Sequence, residues 1–211
     1  MLVKRKKLDK LYFFDNHKNM FNFKTCKKDN CNAFVTLDSD YCYRHSENKN
    51  ELLIKMNNLL RNEELIRDIT FSHAEFENLS TEQRNFSSSN FSFCTFRNIN
   101  FSGSRIATCF FDFCLFDNCI FSDTDIRYSV FSGSKILNSN FSNSLLIHNN
   151  FSGIDAWFCD FSCCDLYFTT FCNSCLRDVN FEDCNLKKAD FRETEQRRLN
   201  FKYSNYEDAS K

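Results

Sequence analysis

The sequence predicts a mainly β solenoid, a rod wound from short like steps, with a small metal-binding module and one helix ahead of it. From Phe71 onward a large apolar residue recurs at every fifth position, through Phe76, Phe86, Phe91, Phe96, Phe101, Ile106, Phe111 and Phe116 to Phe191. A period of five fits neither a helix nor a flat strand, so each step of a repeating coil must bury one side chain. Two positions before each large residue stands a small one, as in Ala74, Cys94, Ser104, Cys109, Cys114, Cys119, Thr124 and Ser129. Small and large residues therefore alternate inward. Ahead of the repeat, Cys26, Cys31, Cys42 and His45 form two close pairs of soft or borderline metal ligands.

Between the two inward columns, Asn or Asp precedes the Phe at Asn90, Asn100, Asn140, Asn150, Asp160, Asn180, Asp190 and Asn200, and Ser often follows it. This pattern resembles the pentapeptide-repeat family over residues 69–205. The resemblance implies a right-handed quadrilateral β-helix with four pentapeptides per coil. With coils ~4.8 Å apart, about 26 pentapeptides make six or seven coils and a rod on the order of 30 Å long. Each coil buries its large residues only against its neighbours, so both ends need caps.

In that geometry residues ten apart oppose one another and residues twenty apart stack. Phe111, Phe131, Phe151, Phe171 and Phe191 are expected to face Phe101, Phe121, Phe141, Phe161 and Phe181, with aliphatic columns through Ile106 and Ile136 on the other two faces. Two positions break the columns. Thr81 marks an irregular early coil, and Ala156 is expected to leave a small void beside Trp157.

The N-terminal part divides into a basic arm over 1–20, a module over 21–47 and a linking helix over 48–68, with a short tail at 206–211. Four ligands in two pairs, on a segment too polar to build its own core, are what a tetrahedral zinc ion requires. The spacing resembles a small zinc module of the form C-x4-C followed by Y-C-x2-H. All four positions are protein-supplied, so the zinc is expected to be structural; His17 is an alternative ligand. Over 48–68, Leu52, Leu53, Met56, Leu59, Leu60 and Ile66 keep an amphipathic spacing, read as a helix covering the open first coil.

The chain has 211 residues, 13 Cys, 3 Gly and no Pro. Seven cysteines occupy the small inward column, where a thiol packs as a small hydrophobe, and disulfides are not expected. Cys163, Cys172 and Cys175 fall in outward columns. No phosphate-binding loop, zinc-protease helix or nucleophile elbow occurs, so catalysis has no visible home. Neither a membrane-length apolar run nor a signal peptide is read, and a cytoplasmic protein is expected.

The outward columns carry the functional expectation. On two faces they turn large, with Leu137, Trp157 and Phe158 on one, and Tyr128, Ile147, His148, Tyr167 and Phe168 on the other. These are expected to contact a protein partner, since contiguous exposed apolar surface with Trp and Tyr anchors marks interaction sites; the other reading is that Phe158 and Phe168 tuck into the turns and stabilise the rod. The alternative is a regulator of DNA transactions. It rests on nucleic-acid contact through the basic residues Lys4, Arg5, Lys6, Lys7, Lys27 and Lys28, or on DNA mimicry toward a type II topoisomerase, as known for some members of the family.

Overall fold

The computed structural model describes residues 24–211. Lys4, Arg5, Lys6, Lys7 and His17 lie outside the described residues. The chain winds about seven turns of a parallel-strand solenoid, preceded by one α-helix, α1 (Lys49–Asn62). Four faces repeat in order, and we number them by their first inward residue: face 1 from Ile66, face 2 from Phe71, face 3 from Phe76 and face 4 from Thr81. Faces 1 and 3 carry a five-stranded and a seven-stranded parallel sheet of mostly three-residue strands, while faces 2 and 4 are joined coil to coil by single bridges such as Asn90↔Phe110 and Asn140↔Asp160.

The twenty-residue stack and the ten-residue opposition both hold. Phe121 and Phe141 stack at 4.5 Å with rings 3° apart, and Phe141 meets Phe151 from across the core edge-on, at 6.1 Å and 88°. Offset stacks along a column with edge-to-face contacts across it satisfy the ring quadrupoles in both directions. Each inward Phe from Phe111 to Phe181 is buried.

The local pattern has a hydrogen-bond cause. On faces 2 and 4 the side-chain oxygen of each Asn or Asp before an inward Phe accepts the N–H two residues on, as in Asn90 with Ser92 at 2.9 Å and Asp160 with Ser162 at 2.9 Å. This Asx turn starts the corner. The residue that completes it, two after the large one, has positive φ at every coil, and only Gly103, Gly133 and Gly153 do so as glycines. The small column does more than fit: Ser134 Oγ donates to the Phe111 carbonyl at 2.7 Å and Cys164 Sγ to that of Phe141 at 3.0 Å. Hydroxyl or thiol there satisfies a carbonyl of the coil before, so Ser, Thr and Cys predominate.

Two expectations need correction. The helix does not reach 68: it ends at Asn62, and Ile66 is the buried centre of the first strand, Leu65–Arg67. Bridging likewise continues past 205, to Asp190↔Ser210. Beside Ala156 the small-column position holds the larger Ile154, and both are buried. Leu79 and Thr81 make the same exchange in an early coil, less completely: an apolar cavity of ≈ 10 Å³ lies among Leu60, Leu79, Thr81 and Phe101.

Candidate metal centre and outward surface

The module is built around a hairpin. Thr25 pairs with Phe34, the Cys26 N–H donates to the Ala33 carbonyl at 2.8 Å, and Asn30, at φ 60°, lets the chain turn between the first two cysteines. Cys42 opens a short 3₁₀ turn, Tyr43–His45, which swings the imidazole back onto it. The ligand atoms of Cys26, Cys31, Cys42 and His45 all lie within 4.8 Å of one another. His45 Nδ1 is 3.5 Å from both Cys26 Sγ and Cys42 Sγ, and the Cys31 and Cys42 sulfurs are 3.9 Å apart. These four residues could hold one metal ion.

Two thiols of the cluster are shifted in opposite directions. Burial works to raise the Cys26 thiol, but hydrogen bonds from the Cys42 and Lys28 backbone and from His45 outweigh it and bring the group to about 6. The Lys28 N–H points at the Cys26 sulfur from 3.5 Å. Cys42 is pushed up by its burial. Lys27 is paired with Asp40 at 2.7 Å, and Lys28 is exposed.

The module and helix sit on the first coil. The Leu37 N–H donates to the Thr70 carbonyl at 3.3 Å, the Tyr43 ring packs 5.4 Å from Phe71, and Met56 and Leu60 are buried in the rod's own core. Arg84 ties the rod to the helix end through the Arg61 carbonyl at 2.7 Å. The half-buried Tyr206 covers the other end, stacked 3.9 Å from Phe201.

The outward residues singled out in the sequence divide between opposite faces. Tyr128, Ile147, His148, Tyr167 and Phe168 lie on face 1 and its corner, joined there by the exposed Leu145. Tyr128 stacks on His148 at 5.2 Å, and His148 on Phe168 at 5.1 Å. Lys188 then closes the series 4.6 Å above the Phe168 ring. Tyr128 and Phe168 remain 61% and 44% exposed. Leu137, Trp157 and Phe158 lie on face 3. There Trp157 is partly covered, with Arg177 4.7 Å and Lys135 5.4 Å from its ring and its indole N–H donating to Asp155.

Sequence reasoning missed a second ladder. His73, Phe93 and Phe113 stack at 4.8 and 5.1 Å on the corner between faces 2 and 3. Phe93 and Phe113 stand twenty residues apart and both fall outside the five-residue frame, which is the signal that could have shown it.

The pentapeptide-repeat family model matches residues 85–123, 139–178 and 174–205, in 8 copies and over half of the chain. The chain belongs to the pentapeptide-repeat family. Among solved structures, this pentapeptide-repeat protein is similar to one from the thylakoid lumen of Arabidopsis thaliana, at 22% identity over 42% of this chain and 66% of that one, with a TM-score of 0.37. HetL of Nostoc sp. PCC 7120, described as involved in heterocyst differentiation regulation, matches at 12% identity over 76% of this chain and 93% of its own, with a TM-score of 0.31. Rfr23 of Cyanothece 51142 matches at 12% identity over 67% and 90%, with a TM-score of 0.33. No curated protein sequence matches the chain. No helix among the described residues is long and apolar enough to cross a membrane.

Proposed function

We propose that this pentapeptide-repeat protein is a non-enzymatic interaction protein whose face 1 ladder, Tyr128, Ile147, His148, Tyr167 and Phe168, receives a protein partner. The observation that carries the reading is where the rings stand. Tyr128, His148 and Phe168 occupy left-handed corners at φ 52°, 57° and 55°, a conformation that costs a non-glycine residue roughly 1–2 kcal/mol. Asn and Asp tolerate it far better. Bulky rings there are exposed, add nothing to the core and line up over three coils, the form of a contact surface. Leu137, Trp157 and Phe158 make a separate contact on the opposite face, with Phe158 as its exposed member.

The metal is zinc and its role is structural. Zn–S near 2.3 Å and Zn–N near 2.05 Å in a tetrahedron require S···S and S···N separations of about 3.8 and about 3.6 Å. The observed 3.9 and 3.5 Å fit. Four protein ligands leave no open position, so the ion holds the cap rather than activating water. Thirteen unpaired cysteines fit a reducing, cytoplasmic setting.

The DNA-directed alternative has less support. Three carboxylates of the rod are engaged in ion pairs, Asp125 with Arg127 at 2.5 Å, Asp178 with Arg198 at 2.5 Å and Asp190 with Arg192 at 2.6 Å, which thins the anionic surface that mimicry would need. The experiment that tests the proposal compares partner capture by Tyr167→Ser and by Trp157→Ser. Loss of capture in the first alone places the partner on face 1; loss in the second alone moves it to face 3; capture unchanged in both removes the surface reading. Zinc content is read on the same preparations, with one ion per chain expected in these two and none in Cys42→Ser.

A further inference from the structure

The corner between faces 2 and 3, away from the face 1 partner site, is divided in two by Gly133. Before it the rungs are large, His73, Phe93 and Phe113; after it they are Gly153, Asn173 and Glu193, and all stand at positive φ. Phe93 and Phe113 are 49% and 58% exposed. A Cβ on Gly133 would come within 2.5 Å of the Phe113 ring, so that ring lies down over the middle rung. A Cβ on Gly153 would touch only the Gly133 backbone, at 3.8 Å, which leaves that rung bare. The flanks are low: Ser92 and Ser132 donate to Asp112 on face 2, and Lys135 on face 3 turns over Trp157, 5.4 Å from its ring. The corner is thus a raised aromatic half joined to a low half of equal length. Its two ends each leave one charge over. Burial, and then the charge of the exposed Arg44, hold His73 below its usual value, while Arg97 is taken up by Glu75 at 3.7 Å. At the far end Arg192 pairs with Asp190 at 2.6 Å, and Arg177 and Arg197 pair with Glu195 at 3.6 and 3.8 Å. Glu193 is exposed and takes part in none of these pairs.

We propose that this corner docks on the same corner of a second copy of the chain, the two rods running antiparallel about a two-fold axis at Gly133. Shape, charge and area point to this occupant. A two-fold axis there lays the raised half of each copy on the low half of the other, so one patch is its own complement. Phe113 comes onto the bare Gly153 of the second copy, beside that copy's own Phe113, and Phe93 comes onto its Asn173. The same operation brings Arg44 and His73 to the second copy's Glu193, at both ends of the contact. The arginines around them stay with Glu75, Asp190 and Glu195, so the charge left over at one end meets its opposite at the other. Seven rungs at ~4.8 Å span roughly 30 Å, and the corner with its flanking columns is five residues, about 16 Å, wide. Such a strip buries on the order of 1,000 Å² over both copies, the lower bound for a specific interface. A second copy therefore suffices to cover the rings, and the dimer is expected to be weak, with a Kd on the order of micromolar.

Sedimentation equilibrium of the full chain at about 1–200 µM is expected to show a monomer–dimer equilibrium. It should weaken at least tenfold in Phe93→Asn/Phe113→Asn, since exposed aromatic anchors carry most of such a contact. Asn suits a left-handed corner, as Asn173 shows at φ 57°, so this variant should fold. If it does not, the charges decide: Glu193→Arg must weaken the dimer at least threefold, and Arg44→Glu/Glu193→Arg must restore it. A photo-crosslinking phenylalanine analogue at position 113, in a mixture of ¹⁵N-labelled and unlabelled chains, should give interchain products at residues 133–173. A chain that stays monomeric over this range, whether or not the corner captures a different protein, would overturn the proposal. So would a dimer that neither set of variants weakens, or interchain products centred on Tyr128 to Phe168 or on the last coil.

Discussion

Seven buried thiols of the small column share one electrostatic consequence. Burial pushes Cys94, Cys109, Cys159 and Cys184 up to about 12 and Cys119 to about 11, and it raises Cys114 and Cys164 as well. A thiol raised in the folded state binds a proton that the unfolded chain releases near 9. Its contribution is therefore complete below pH 9 and is lost as pH climbs toward 11 or 12. At pH 10 each of the five thiols raised to about 11 or 12 costs on the order of 1 kcal/mol, and together they cost several, a large share of the stability of a typical domain. We expect cooperative alkaline unfolding between pH 9 and 11. Cys109→Ser/Cys119→Ser/Cys159→Ser should reduce the loss at pH 10 by about 4 kcal/mol in urea titrations; equal losses in both proteins would contradict this.

The exchange at Ile154 and Ala156 gives a second residue-scale prediction. Ile154→Ser should cost about 3 kcal/mol, from lost transfer energy and a cavity, and Ala156→Leu alone about 1–3 kcal/mol from overpacking. The double variant restores the small-then-large order and should recover at least half the summed cost by urea denaturation, while strict additivity would mean the two side chains do not share a space. The five-residue frame made the inward columns legible in the sequence. It did not show that volume can trade between the two inward positions, because a column reading treats each position alone. The left-handed corners were also hidden, since Asn and Asp at some of them and bulky rings at others share no residue type.

At the scale of elements, the metal module and α1 act as one cap. Asp38 lies 3.6 Å from Lys55 across their junction, and both elements rest on the first coil. Ile66 continues the amphipathic spacing of the helix, yet it also stands five before Phe71; the rod's frame wins because an inward position on the first strand buries it fully. The ligand set of the module was readable from spacing alone, whereas its contacts with Thr70 and Phe71 were not, because they join segments with no common period. Metal removal by a chelator should speed exchange of the Leu37 amide at least tenfold, and loosen α1, while leaving Phe141 and Phe161 protected, as expected for a rod stabilised by nearest neighbours. Equal acceleration at all of these amides would show that the cap is not a separable unit.

For the whole molecule, four faces of different chemistry let one rod hold separate surfaces. The sequence located the outward aromatics of faces 1 and 3. Their opposition follows from the ten-residue rule, but the sequence could not say that Trp157 lies beneath Arg177 and Lys135, since cover depends on long side chains from neighbouring coils. The central claim is that the Tyr128, His148 and Phe168 rings face outward to bind rather than to hold the rod together. In Tyr128→Asn/Phe168→Asn, lost stacking of about 0.5–1.5 kcal/mol per ring pair is offset by relief of left-handed strain, so the melting temperature should move by no more than about 4 °C. The most direct measurement is the affinity of this variant for the captured partner, with melting followed on the same sample. At least a tenfold weaker complex at near-constant melting temperature is the expected result; an unchanged affinity with a melting temperature lowered by about 10 °C would contradict the claim and return the ladder to the packing of the rod.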